Sequence, residues 1–284
     1  MKGFKNLEIT TFEHQFTGDF DKCLQTLLSF RNQVKYVSIH APSYLTVAHI
    51  EDEAHRKLAV QCIEKIVQIA PQIECERVVF HGFHYVTDMH NMAEVTAQRR
   101  RAFSKCAESI KRLERVAIEF GVKLCLENLN AYMYFDKPSY LIFGASPMDI
   151  VRVAKETDSN VRLCFDAAHF KNFCSFLQKS KRMRELYGVN KPSLKDLFGK
   201  ISDRVEIVHV SDAKGYVAGL KETEHLPLGM GEIDFEGLFK EICASDFDGP
   251  IVLETQELDI NNAINMAEGR RCIESILAKI VKAS

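Results

Sequence analysis

The stretch V-E-I-V-H-V-S-D-A-K-G-Y-V-A-G-L-K-E-T-E-H-L-P-L-G-M-G-E-I-D, residues 205–234, decides the fold. It opens as a short apolar run, V-E-I-V, that closes on His209. Asp212 and Lys214 follow at once, then a polar loop, then His225 and the pair Gly229 and Gly231. A strand that delivers an imidazole at its C-terminal end, followed by a long loop, is how an α/β barrel assembles a site. The L-G-M-G pair lacks the third glycine of a dinucleotide fingerprint, so it reads as a tight turn ahead of a helix that starts near Asp234.

Outward from this stretch the same unit recurs. N-L-E-I-T (6–10), Y-V-S-I-H (36–40), R-V-V-F-H (77–81), V-K-L-C-L-E (122–127), V-R-L-C-F-D (161–166) and P-I-V-L-E (250–254) are short apolar runs. Between them lie helical patterns over 20–30, 51–72, 91–120, from Ser146-Pro147 onward, through about 202, near 234–244 and up to about 281. Gly121 suits the position just past a helix end, and Ser146-Pro147 suits an N-cap followed by the first helical residue. Strands alternating with helices imply βα units and a parallel sheet. The expected fold is α/β, a TIM (β/α)8-type barrel in one domain over residues 1–284. Seven strand candidates are present, so either the first βα unit is lacking or the irregular segment near 131–145 fills the gap.

Composition narrows the function. The length of 284 residues suits a single barrel, and 46% apolar residues suffice for a sizeable core. A formal charge of −2 gives no global attraction to nucleic acid. No run approaches a membrane span and the start of the chain has no signal-like apolar stretch. Nine cysteines without a C-x-x-C pair, with Cys125 and Cys164 inside apolar runs, point to reduced thiols and a cytoplasmic location.

The strand ends carry the chemistry. His40, His81, Glu127, Asp166, His209 and Glu254 each close a strand, and a closed parallel barrel brings all six tips to one face. A lone histidine or aspartate at such a place is usually a cap or a satisfied polar group. Six at one topological position make a mixed N/O ligand set that suits Zn²⁺ or Mn²⁺. Asp212, three residues after His209, either orients that imidazole or caps a turn.

These residues resemble the xylose-isomerase-like TIM barrels, which include sugar isomerases, epimerases and endonuclease IV. The resemblance rests on H-A-P-S-Y-L (40–45), L-E-N-L-N (126–130), F-D-A-A-H (165–169), H-V-S-D-A-K (209–214), H-L-P-L-G-M-G-E-I-D (225–234) and L-E-T (253–255). It implies that Glu127, Asp166, His209 and Glu254 share one metal ion. It also implies that His40, His81, His169 and His225 match the histidines with which endonuclease IV holds two further zinc ions. N-L-E-I-T resembles the family's second strand. The nuclease pattern departs at Thr223, which stands where a ligand aspartate is expected, at L-N-A-Y after Glu127, and at H-G-F-H (81–84), which is one residue short. Either Glu222 or Glu224 is then the source of the missing carboxylate.

Two chemistries follow. In an isomerase or epimerase, one divalent metal polarises a hydroxy-carbonyl sugar or sugar phosphate while Glu127 and Glu254 exchange a proton. Tyr44, Asn128, Asp212 and Lys214 are the expected substrate contacts, with His169 beside them. In an endonuclease IV-like phosphodiesterase, two or three zinc ions act on abasic-site DNA, gripped by Tyr44 and the basic runs Arg99–Arg101 and Lys179, Lys181, Arg182 and Arg184.

Overall fold

The computed structural model describes residues 6–11, 20–134, 138–189, 192–215, 223–257 and 262–283. Its main sheet has strands β1 (Asn6–Thr10), β2 (Tyr36–His40), β3 (Arg77–His81), β5 (Lys123–Glu127), β8 (Arg162–Asp166), β9 (Val205–Val210) and β10 (Ile251–Leu253), hydrogen-bonded in that order. Every pairing among them is parallel. Helices α1 (Phe20–Arg31), α2 (Glu53–Ile69), α3 (Met92–Phe120), α4 (Pro147–Thr157), α5 (Ala167–Lys179), α6 (Lys181–Tyr187), α7 (Leu194–Ile201), α8 (Phe235–Cys243) and α9 (Ile264–Ala283) connect and surround them. The seven expected strands are therefore the seven of the barrel sheet.

The period-2 alternation of each strand produces two separate cores. One set of side chains, including Ile39, Val78, Phe80, Leu124, Leu126, Leu163, Phe165 and Val208, packs outward in the large cluster shared with the helices. The other set, Val79, Cys125, Cys164 and Ile207 with Val252 against them, forms a small separate cluster. These residues, one each from β3, β5, β8, β9 and β10, fill the barrel interior. The next interior level toward the strand C-termini holds His40, His81, Glu127, Asp166 and His209, all buried.

The level below the apolar layer is also charged. Glu206 receives Arg77 Nε and Lys123 Nζ at 2.7 Å each and lies 3.4 Å from Arg162 Nε. The register between β8 and β9 shifts by one residue here, pairing Leu163 with Val205 and Cys164 with Ile207. Glu206 is the extra residue of this bulge, which delivers its carboxylate to three cations on neighbouring strands.

The segment near 131–145 does not complete the barrel. Its described parts, β6 (Tyr132–Tyr134) and β7 (Pro138–Phe143), pair antiparallel with each other and, through β7, with β4 (His84–Val86). Arg99 of α3 anchors this small sheet. It donates to the Ile142 carbonyl and to Asp149 Oδ1, both at 2.5 Å, and lies 4.1 Å over the Tyr187 ring. Asp149 Oδ2 accepts from Gly144 N. Gly144 has φ +89 and passes so close to the loop after β3 that a Cβ would run into the Gly82 carbonyl oxygen.

No helix among the described residues is long and apolar enough to cross a membrane.

Candidate metal centre

Four strand ends meet at one point. Single ligand atoms of Glu127, Asp166, His209 and Glu254 all lie within 4.8 Å of one another. His209 Nδ1 sits 3.0 Å from Glu254 Oε2 and 3.4 Å from Glu127 Oε1. Asp166 caps α5 by accepting from His169 N through Oδ1 at 2.6 Å, which leaves Oδ2 free to face the cluster. Asp166 Oδ2, Glu254 Oε2 and His209 Nδ1 are buried atoms without a well-aligned hydrogen bond, as is His209 Nε2 on the other side of the ring, so the close approaches to His209 are charge contacts. Buried polar atoms are almost always satisfied. Three orphans on one point, from a set of three carboxylates and an imidazole, fit a divalent cation.

A second group shares Glu127. Its Oε2 lies 2.9 Å from His40 Nε2 and 3.1 Å from His81 Nε2. Both imidazoles donate the Nδ1 proton to backbone carbonyls, of Ala41 at 2.6 Å and Ser43 at 2.5 Å. That arrangement fixes the tautomer and turns each Nε2 toward the carboxylate, as a backbone-anchored metal ligand does.

A third group lies beside Thr223. His169 Nδ1 pairs with Glu224 Oε2 at 2.9 Å, and His225 joins them within ligand distance. His225 Nδ1 donates to the Glu254 carbonyl at 3.0 Å, and its ring stands edge-on to His169. Among the described residues, Glu224 is the carboxylate that stands with these two histidines. Among the described residues Thr223 Oγ1 meets Asn172 Nδ2, at 3.5 Å, and Glu222 lies outside them.

Electrostatically the centre is a histidine–carboxylate mesh. Burial alone would lower the His40 imidazole, but the Glu127 carboxylate beside it lifts it to about 9. Burial likewise opposes protonation of His169 and His209, and surrounding carboxylates raise both well above the ordinary histidine value. Burial raises Asp166 to about 6. It acts the same way on Glu254 and Glu127, yet the His209 imidazolium pulls Glu254 down to about 2 and, with His40 and His81, holds Glu127 well below the carboxylate range. Protonated imidazoles thus balance the carboxylates, and a cation bound here would have to displace those protons.

The remaining expected contacts divide. Tyr44 is about half exposed and Lys214 is exposed, on the loops after β2 and β9. Asn128 uses both ends of its amide on the Asp166 backbone, at 3.0 Å each, and so ties the tip of β5 to that of β8. Asp212 does not reach His209. Its carboxylate accepts from the backbone N–H groups of Ala213, Gly229, Gly231 and Ile233, between 2.8 and 3.1 Å, and organises the L-G-M-G loop. The basic runs are largely committed within the fold. Besides Arg99, Arg184 donates to the Leu177 and Gln178 carbonyls, Arg101 pairs with Glu94, Lys181 with Glu185, and Arg182 contacts His90. Sequence reasoning missed Glu8, whose carboxylate lies 2.8 Å from His209 Nε2.

A sequence profile described as "Xylose isomerase-like TIM barrel" matches residues 6–276. The chain belongs to this family. It is similar to the uncharacterized protein MJ1311 of Methanocaldococcus jannaschii, 25% identical over 256 residues, which cover 87% of this chain and 73% of the relative. Solved structures share the fold. A D-tagatose 3-epimerase-like protein superposes with TM-score 0.70 at 20% identity, covering 99% of this chain and 91% of its own. An L-ribulose 3-epimerase does so with TM-score 0.67 at 16% identity, covering 99% and 87%.

Proposed function

We propose that this xylose isomerase-like barrel is a divalent-metal-dependent isomerase or epimerase of a sugar or sugar phosphate. The observation that carries this reading is the convergence of Glu127 and Glu254, from opposite strands, on one nitrogen of His209 beside Asp166. The epimerase names borne by structures that superpose over 99% of the chain support it. Bound by Glu127, Asp166, His209 and Glu254, Zn²⁺ or Mn²⁺ supplies Lewis-acid polarisation of a substrate carbonyl.

The protein side of the reaction follows from the two carboxylates. Both are ionised at neutral pH, the form required of a general base. The Glu254 side chain is about one-third exposed, whereas that of Glu127 is about 1% exposed. Glu254 therefore meets the entering substrate and takes the proton from the carbon next to the carbonyl. Glu127, on the far wall, first takes up a proton from solvent and delivers it to the opposite face, Glu254 returns the abstracted proton to solvent, and His169 beside Glu127 holds a substrate hydroxyl. Tyr44 and Lys214 contact the distal end of the sugar.

One observation favours a second reading. The two oxygens of Glu127 belong to different groups, and Glu224 completes a third group with His169 and His225. This is a plan for two or three zinc ions and an endonuclease IV-like phosphodiesterase acting on abasic-site DNA. The internal commitment of Arg99 and Arg184 weighs against the DNA grip that it needs.

Metal content, a ketose panel in D₂O and an abasic-site duplex decide between them. One ion per chain, solvent deuterium entering the carbon next to the carbonyl, and loss of exchange in Glu254→Gln are expected. Three zinc ions with strand nicking would replace the first reading by the second. Neither exchange nor nicking by metal-loaded protein would overturn both.

A further inference from the structure

Strand β1 contributes none of the strand-end groups, yet it supplies the carboxylate nearest to His209 on the side away from the ligand cluster. Glu8 stands opposite Ser38 in the β1–β2 register and accepts from Ser38 Oγ through Oε2 at 2.7 Å. Its Oε1 lies 2.8 Å from His209 Nε2. β1 and β10 are the two ends of the hydrogen-bonded order, so this contact crosses the seam of the sheet, from β1 to β9. The side chains of both partners are buried.

We infer that Glu8 is a positioning residue that holds the Nε2 face of His209 and thereby presents Nδ1 to the cluster of Glu127, Asp166 and Glu254. An imidazole has two nitrogens and, when neutral, one lone pair. Both nitrogens face carboxylates, and the one whose partner stands outside the ligand cluster keeps its proton when a cation displaces the proton on the other. Here Nε2 faces Glu8, while Nδ1 faces Glu254 and Glu127. Ser38 keeps the Glu8 carboxylate from rotating toward the other acids. Glu8 lies one interior level below the strand tips, out of substrate reach, so it acts through His209. The inference rests on the metal-dependent reading, but it concerns the part of the centre that both chemistries share.

The test uses the full chain stripped of metal and titrated with Co²⁺, read by visible absorption and calorimetry, with thermal unfolding of the metal-free form in parallel. Glu8→Gln keeps the shape and a partner for Ser38 but removes the charge and can turn an amide N–H toward Nε2. Co²⁺ affinity should fall by about 10–100-fold, the usual effect of losing such a partner, and the absorption band should change. Ser38→Ala, which leaves the carboxylate in place but unanchored, should weaken affinity less. Unchanged Co²⁺ affinity and spectrum in Glu8→Gln, with binding lost in His209→Ala, would overturn the role of Glu8 alone. So would a Glu8→Gln loss of metal-free stability as large as its loss of affinity, with Ser38→Ala behaving as the unaltered chain. No Co²⁺ binding by the unaltered chain would overturn the metal reading and this inference together.

Discussion

Replacing Glu127 by glutamine tests the charge balance of the centre most directly. The carboxylate sits between His40, His81 and His209 and is inaccessible to water. In the metal-free protein it is the chief reason that His40 titrates at about 9 rather than 6.5. A group whose folded value is raised stabilises the fold fully below its unfolded value, and this contribution is lost as pH rises through the folded value. For His40 that shift corresponds to about 3 kcal/mol, present below about pH 6.5 and gone above about pH 9. The depression of Glu127 is the same interaction seen from its partner and is not added. In Glu127→Gln, His40 loses its counter-charge and stays neutral throughout. The stability gap between unaltered and variant protein, measured by urea denaturation with chelator present, should therefore shrink by about 3 kcal/mol between about pH 6 and about pH 9.5. A gap equal at both pH values would show that His40 carries no proton beside Glu127. The centre would then be a neutral hydrogen-bonded cluster rather than an ion mesh.

Glu206 in the lower charged level gives a contrast of opposite sign. Burial would raise its carboxyl, but Lys123 and Arg77 hold it low, so its stabilisation is present above the unfolded carboxylate value and lost as pH falls through the folded one. Glu206→Gln should lose about 3 kcal/mol at neutral pH, a deficit that closes on acidification in urea melts. Gly144→Ala should lower the thermal midpoint more than Gly188→Ala. Both have positive φ, but only Gly144 meets backbone where a Cβ would stand, while Gly188 faces nothing within 4 Å. Zn²⁺ or Mn²⁺ uptake should release protons and strengthen as pH rises, because His40 and His209 are held protonated without metal. Calorimetry in buffers of different ionisation enthalpy reads this, and pH-independent uptake would contradict it.

Six of the seven barrel strands were legible with their tips because each ends an apolar run on a single His, Asp or Glu, and parallel strands must align those ends. The rest was hidden for definable reasons. Glu8 lies mid-strand in N-L-E-I-T, where alternation reads a charge as facing solvent; only the contact across the seam turns it inward. Glu224 lies in a loop without periodicity, so adjacency to His225 could mark it as a candidate but not choose it over Glu222. The segment Tyr132–Phe143 has strand composition, but Pro138 stands at a strand start opposite Tyr134, a place for edges rather than for a central barrel strand. Asp212 has the spacing of a partner for His209, yet four backbone N–H groups, two of them in the L-G-M-G loop, outcompete one imidazole.

The two candidate chemistries differ in what they require of one oxygen atom. Proton transfer between faces of a sugar carbon needs Glu127 to give and take a proton, which the two histidines on Oε2 oppose by holding the carboxylate ionised. Phosphodiester cleavage needs the same Oε2 to be a fixed ligand, which those histidines, anchored through Ala41 and Ser43, favour. His40→Ala and His81→Ala therefore separate the readings. Where Glu127 is the acid–base group, removing either imidazole frees Oε2 and leaves carbon–hydrogen exchange intact or faster. Where Glu127 bridges metals, either change removes an ion and abolishes nicking. The direction of change on losing one histidine, measured in both assays on one preparation, identifies the chemistry whichever sugar or nucleic acid is the natural substrate.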